Sequence, residues 1–353
     1  MIKALLEGSY QRIQLHHVRL AFSDTMESVG KASWKKVWVL LITILHIWIA
    51  RFRTGARVLY YPPSGPNKVP VVRDIALLCA VRWLFPKVIF HFHAGGVSTF
   101  RGELPSWMRG FFDRAYRRPT LAIRTAPQNP DDGAALHTVR SCVVPNGLSD
   151  MRGTIPERTA PPGAPLTVLF TGVLIPSKGV RVLVDAFFMA VDQGCDLRLE
   201  VMGKWGDRSF QQEMEQLVAA SRHAARIQFL GEKRDEEKFA RFAACDIFCF
   251  PSYFEAESFG LVLVEAMMFG KPVIATRWRG IPSVVVDEGN GCLVAVKDAA
   301  AVAEKLARLA RDPALRRAMG AEGRRIFEAR FTLERFQRAM ETEMHQAITG
   351  ANA

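Results

Sequence analysis

Cysteine is scarce and unpatterned in this chain of 353 residues. The six cysteines, Cys79, Cys142, Cys195, Cys245, Cys249 and Cys292, make no C-x-x-C pair, and several fall inside apolar runs such as the one from 245 to 250. That excludes a disulfide framework and paired-thiolate metal sites; these residues read as small buried hydrophobes in a reducing compartment, and no metal is expected. Long hydrophobic runs are scarce too. The longest, Val37 to Ala50, covers 14 residues, holds Thr43 and His46, and is bracketed by Lys35, Lys36, Arg51 and Arg53. A spanning helix needs about 20 apolar residues, so a buried core helix is expected, with an interfacial helix as the alternative. Residues 2–10 carry no apolar stretch ending in small residues, so no signal peptide is expected and the cytoplasm is the expected location.

Acidic residues are missing from one part only. Residues 1–150 hold 9 Asp and Glu against 20 Lys and Arg, a net of +11; residues 151–353 hold 26 against 27, a net of +1. Such asymmetry points the first part toward an anionic membrane surface, a polyanion or an anionic substrate. No nucleic-acid recognition motif accompanies the arginines, so nucleic acid is not an expected partner. Hydrophobic residues at 49% and charged residues at 23% describe an ordinary globular protein. The length exceeds the roughly 250–300 residues at which one core divides. Two domains are expected, 1–150 and 166–353. A linker over 151–165, marked by Gly153, Pro156, Pro161, Pro162 and Gly163, would join them. The last helix is expected to pack back on the first domain.

Periodicity predicts a strand at Leu15–Leu20 and a helix from Gly30 to Phe52, with Trp34, Val37, Trp38, Leu41, Leu45 and Trp48 on one apolar face. A strand at Arg57–Tyr61, a helix at Asp74–Phe85 and a strand at Val88–His93 follow. Beyond the linker, strands are predicted at 166–170, 197–202, 227–230, 246–250 and 272–275, with helices between them and three charged helices over 298–347. Alternation of this kind implies parallel pairing in a doubly wound α/β fold of Rossmann type, where ligands bind outside the carboxyl ends of the strands.

Three strand-end loops carry the chemistry. In the first, Gly172 lets backbone approach an anion, and Lys178 at the next helix start can neutralise phosphate. The second runs from Glu257 through Ser258, Phe259, Gly260 and Leu261 to Glu265. Glu257 is placed just before the N-terminus of a helix running from Gly260 to Met268 and Glu265 two turns in, so that eight steps put the carboxylates about 12 Å apart along the axis and about 80° apart around it, both able to face one cleft. The N–H groups of Ser258, Phe259 and Gly260 would then point at a ligand at the positive helix end. The third, Thr276 to Pro282, would form a lip of that cleft.

From Thr167 to about Phe336 these segments, in this order, resemble the retaining glycosyltransferases of family 4, which have the two-domain GT-B fold. The resemblance rests on Phe170-Thr171-Gly172 with Lys178-Gly179, Val201-Met202-Gly203, Phe229-Leu230-Gly231, Asp246 to Ser252, Glu257 to Thr276, Gly280-Ile281-Pro282 and Gly289-Asn290-Gly291. Val144 to Gly147 and His91-Phe92-His93 with Gly95-Gly96 match more weakly in the first half. It implies two Rossmann-like domains facing a central cleft, with the acceptor on the first and the nucleotide-sugar donor, UDP- or GDP-linked, on the second. Glu265 would hold ribose hydroxyls, Glu257 hydroxyls of the donor sugar, and His93 the sugar near the reaction centre. Lys178 and the amides at Phe259 and Gly260 would stabilise the departing diphosphate, with Gly231 and Lys233 flanking the base. Retention is implied, without a cofactor or metal, toward a saccharide or lipid-linked acceptor.

Three departures accompany the match. Val173 stands where the family usually has Arg, Ser258 where it often has Gly, and the usual opening strand and Gly-rich loop have no counterpart before Ala4–Gly8. These leave an inactive GT-B remnant that binds a nucleotide or partner as the alternative.

Overall fold

The computed structural model describes residues 2–20, 34–156, 161 and 163–350. The chain divides into unit 1, Met1–Pro145 with Glu334–Ala353, and unit 2, Asn146–Leu333. The first segment of unit 1 thus ends at Pro145 where 150 was expected, unit 2 begins at Asn146 where 166 was expected, and the chain returns to unit 1 at Glu334. The Pro/Gly stretch is not where the chain changes units, and its residues 157–160 and 162 lie outside the described ones.

Unit 1 is built on a parallel four-stranded sheet, β1 (Val58–Tyr61), β2 (Lys87–Phe92), β3 (Leu121–Arg124) and β4 (Arg140–Val143), in sequential order. Its helices are α1 (Ile2–Leu6), α2 (Trp34–Thr54), α3 (Lys68–Val81), α4 (Ser106–Tyr116) and the short α5 (Asp132–Ala135). Residues 15–20 form no strand. Their alternation is broken by His16, His17 and Arg19, which leave no clean apolar face. The Val37–Ala50 run is helical but not buried as expected: only Thr43 and Ile47 are fully buried within it, and Leu41, Leu45 and Ile49 are exposed. The expected helix start at Gly30 lies outside the described residues.

A buried carboxylate fixes the loop after β1. Asp74 accepts from Tyr61 Oη (2.8 Å), from the N–H and Oγ of Ser64 (2.8 Å each) and from Arg73. A buried charge is tolerated only when paired and hydrogen-bonded in this way. Residues 334–349, most of a helix that begins at Leu333, complete the unit. Arg140 pairs with Glu343, Gln337 donates to Ala4 O (2.7 Å), and Phe336 stacks on His91 at 6.5 Å.

Unit 2 carries six parallel strands, β5 (Leu166–Thr171), β6 (Leu197–Met202), β7 (Ile227–Gly231), β8 (Ile247–Phe250), β9 (Val273–Thr276) and β10 (Gly291–Val294), in the order β10-β9-β8-β5-β6-β7. Helices α6 (Val180–Asp192), α7 (Arg208–Ala219), α8 (Asp235–Ala244) and α9 (Leu261–Met268) make the crossovers; α10 (Ala299–Arg311) and α11 (Pro313–Arg330) follow, and α12 (Leu333–Thr349) belongs to unit 1 in all but its first residue. Three helix starts are set by aspartates whose side chains accept an amide: Asp207 from Phe210, Asp298 from Ala301 and Asp312 from Leu315. Strands β8, β9 and β10 are buried throughout, as a sheet covered on both faces requires. The order reverses between β5 and β8. That is the topological switch point, where ligands bind beyond the strand ends in such sheets.

Candidate functional site

The loops leaving β5 and β8 meet at this switch point. Gly179 adopts φ 81°, and a Cβ there would lie 2.1 Å from the carbonyl oxygen of Pro251. Only glycine allows that approach. Tyr253 N–H donates to Ser177 O at 2.8 Å, locking the two loops together. The result is an ion pair: Lys178 Nζ donates to Glu257 Oε2 at 2.6 Å, and Ser252 Oγ donates to the same oxygen at 3.1 Å. Lys178 Nζ also lies 4.5 Å from the Phe254 ring centroid. With only 15% and 10% of the two side chains exposed, the pair is shielded from water.

Glu257 lies ahead of α9, as expected, and Glu265 lies on it. Gly260 takes φ 76° and α9 starts only at Leu261, so the helical spacing expected between the carboxylates does not apply. Instead the Glu257–Gly260 turn is braced from the side. Gly280 N–H donates to Glu257 O at 3.2 Å, and a Cβ on Gly280 would sit 1.9 Å from Ser258 O. The N–H groups of Ser258, Phe259 and Gly260 find no acceptor among the described residues. They lie at the positive end of α9, which favours an anion.

Glu265, on α9, is buried, and its Oε1 accepts from Lys238 on α8. Its Oε2 has no partner among the described residues. Burial raises its pKa above that of an ordinary glutamate, with the Lys238 ammonium opposing the rise. Lys238 and Ser252 are the two residues that sequence reasoning missed. Lys238 recurs four residues from Arg234 and Phe242 on an unremarkable charged helix, and no signal marks it.

The β6 and β7 ends close the other side. A Cβ on Gly203 would lie 1.8 Å from Gly172 O, and Gly203 N–H donates to Gly231 O at 2.9 Å. Gly172, Gly203 and Gly231 thus bring three strand ends together, while Lys233 turns to Glu237 at 3.2 Å. Val173, half-buried, brings no charge to this edge.

On unit 1, His93 ends the run that begins with β2. His91 and His93 stack with ring centroids 4.1 Å apart, and Tyr60 Oη lies 2.7 Å from His91 Nδ1. Burial holds the His93 pKa down at about 4 and that of His91 well below the ordinary imidazole value. Both rings are therefore neutral near pH 7, and the Nε2 atoms of both have no partner among the described residues. The loop after His93 is fixed by buried Asp132, which accepts from the N–H groups of Gly96 (2.8 Å) and Ser98 (2.7 Å).

Residues 151–326 match the family model described as glycosyl transferases group 1. The chain belongs to this family. Within group 1 it is similar to the phosphatidyl-myo-inositol mannosyltransferase of Mycobacterium leprae, 34% identical over 204 residues, 56% of this chain and 53% of that protein. It is also similar to the D-inositol 3-phosphate glycosyltransferase of Corynebacterium efficiens, 37% identical over 164 residues, 45% of this chain and 38% of the relative. The alignments thus span about half the length of these curated relatives, or less. Among solved structures, sucrose-phosphate synthase from Thermosynechococcus elongatus superposes with a TM-score of 0.68 at 22% identity, covering 97% of this chain and 86% of that one. HepE from Anabaena, solved with UDP, gives 0.65 at 20% identity over 86% and 82%. These likenesses establish the fold of this group 1 protein as α/β, of GT-B type.

Proposed function

We propose that the protein is a retaining glycosyltransferase of family 4 that moves a hexose from a UDP- or GDP-linked donor to a saccharide or lipid-linked acceptor on the cytoplasmic side. The observation that carries the reading is Glu265: a buried carboxylate with one oxygen held by Lys238 and the other without a partner is a preformed acceptor for a diol. Leaving such a group unsatisfied costs about 1–3 kcal/mol, which ribose hydroxyls would recover. Supporting it, a relative is named as a phosphatidyl-myo-inositol mannosyltransferase and a fold neighbour was solved in complex with UDP.

In this reading Lys178 leaves Glu257 when the diphosphate arrives and, with the amides at Phe259 and Gly260, stabilises the developing leaving-group charge. Glu257, released, takes hydroxyls of the donor sugar. Gly172 and Ser258 give the phosphates close backbone approach, Leu261 starts the helix that faces them, and Gly231 with Lys233 borders the base. His93 contributes a neutral imidazole to the donor sugar. No metal is required, because Lys178 and the helix end supply the positive charge. A second reading, nucleotide binding without transfer, is favoured by Val173 alone.

Calorimetric titration with UDP and GDP tests the assignment. Glu265→Ala is expected to weaken the preferred nucleotide by about 1.5–3 kcal/mol, the loss of hydrogen bonds to a charged group. Glu257→Ala is expected to leave nucleotide affinity nearly intact and lower turnover. An unchanged dissociation constant for Glu265→Ala refutes the ribose assignment; nucleotide binding by the wild-type chain with no turnover selects the second reading.

A further inference from the structure

Helix α2 shows several large apolar side chains to the outside. Trp34, Trp38, Leu41, Leu45, Ile49 and Phe52 are exposed, Trp34 by 83% and Phe52 by 70%. At 100° per residue these positions fall in an arc of roughly 80°, so they form one stripe. Monomeric soluble proteins rarely leave such a stripe uncovered. Val37–Thr54 is long and apolar enough to cross a membrane by length and composition. The opposite face argues against crossing. Ile47 is buried in the unit 1 core with Leu40, Ile44 and Trp48 packed beside it. Trp48 Nε1 donates to Ala80 O (3.3 Å) and Arg51 Nε to Leu84 O (3.0 Å). A spanning helix would have to surrender all of these; a helix lying flat surrenders none.

The stripe continues sideways. Helix α3 packs between α2 and α4. The ring of exposed Trp83, just after α3, lies 5.3 Å from that of Trp48, and Cys79 Sγ reaches Phe111 O on α4 at 3.4 Å. Trp107 and Phe111, both exposed, share one face of α4 at i, i+4, and exposed Arg114 follows at i+7. Arg53 borders the stripe on α2, also exposed. Tryptophans backed by arginines, on the part of the chain that carries +11, match the headgroup zone of an anionic bilayer in both polarity and sign. Lys31 lies outside the described residues.

We propose that this face docks on an anionic lipid bilayer, with α2 lying in the plane of the headgroups and Trp83, Trp107 and Phe111 extending the contact. The inference does not rest on the transfer reaction, and its test uses neither donor nor acceptor.

The full chain is floated with phosphatidylglycerol or phosphatidylcholine vesicles. The expected result is binding to phosphatidylglycerol at low salt, at least about tenfold weaker on phosphatidylcholine and in high salt, where surface charges are screened. Trp38→Glu with Leu45→Glu is expected to lower binding at least tenfold, and Arg53→Glu with Arg114→Glu to do the same without touching an apolar residue. Bound protein is expected to leave the vesicles in alkaline carbonate. No flotation with phosphatidylglycerol at low salt overturns the proposal, as does equal binding to both lipids. Resistance to carbonate overturns the flat orientation. A lipid-free dimer that the α2 substitutions dissociate overturns it in favour of a second copy as the occupant.

Discussion

The Lys178–Glu257 pair can be weighed by removing its members singly and together. Lys178→Met leaves a carboxylate that is only 10% exposed with Ser252 as its one remaining partner at 3.1 Å. Breaking a fully buried pair costs about 3–5 kcal/mol; the hydroxyl and the residual exposure bring the expectation here to about 2–3 kcal/mol. Glu257→Gln leaves an ammonium resting on the Phe254 ring and free to turn toward water, at about 1–2 kcal/mol. The double variant holds no uncompensated charge and is expected to be no less stable than Lys178→Met alone. The resulting coupling energy is about 1.5–3 kcal/mol, the worth of a charged hydrogen bond. Because the two units need not unfold together, the assay is native-state hydrogen exchange at β5 and β8, which reports unit 2. Additivity within about 0.5 kcal/mol, as found for independent sites, refutes the claim that these two loops are joined electrostatically.

Gly179→Ala is expected to disrupt the site more than the fold. A Cβ 2.1 Å from Pro251 O must push the two loops apart, so nucleotide affinity is expected to drop at least tenfold while far-UV dichroism stays unchanged; unaltered affinity contradicts the close-approach argument. Acid is expected to weaken unit 1. His93 has a folded pKa of about 4 against 6.5 for the free imidazole, so between those values the unfolded chain binds more protons. Stability is full above pH 6.5 and declines as pH falls toward 4, and thermal unfolding at pH 7.5 and 5 reads it. A unit 1 no less stable at pH 5 disproves the neutral-histidine assignment. Nucleotide binding is expected to weaken on acidification at a higher pH than the 4.5 of an ordinary glutamate, because the raised Glu265 must be ionised to accept the diol. Titration of affinity against pH, with Glu265→Gln as the insensitive control, checks this.

Most of unit 2 was legible in the sequence because its strands are mostly apolar, with β5, β6 and β7 ended by Gly172, Gly203 and Gly231 and the short β8 and β9 apolar almost throughout. Strand β10 escaped because Gly291–Val294 is short and opens on a glycine. Unit 1 was harder: β3 and β4 are four residues each, and the Leu15–Leu20 alternation belongs to no strand. Helix α2 showed the limit of periodicity most plainly, since an apolar stripe announces a covered face without saying whether protein or something else covers it. At the site, Glu257, Glu265 and Lys178 were recognisable as types. Their pairing was not, because the φ of Gly260 takes Glu257 off the helical steps that the spacing counted, and because Lys238 reaches Glu265 from a neighbouring crossover that no local pattern connects to it.

The discontinuity of unit 1 has a consequence for how the protein is made. Unit 2 is an uninterrupted stretch, closed at its base where Leu148 N–H donates to Phe331 O and Leu333 N–H to Leu148 O, both at 2.9 Å. It can finish folding as soon as it has left the ribosome. Unit 1 begins to emerge before unit 2, yet Phe336 against His91, Glu343 against Arg140 and Gln337 against Ala4 all wait for residues 334–349, which are made after unit 2. Unit 1, begun before unit 2, is therefore completed after it, and a ribosome that stops after residue 333 releases a finished unit 2 attached to an unfinished unit 1.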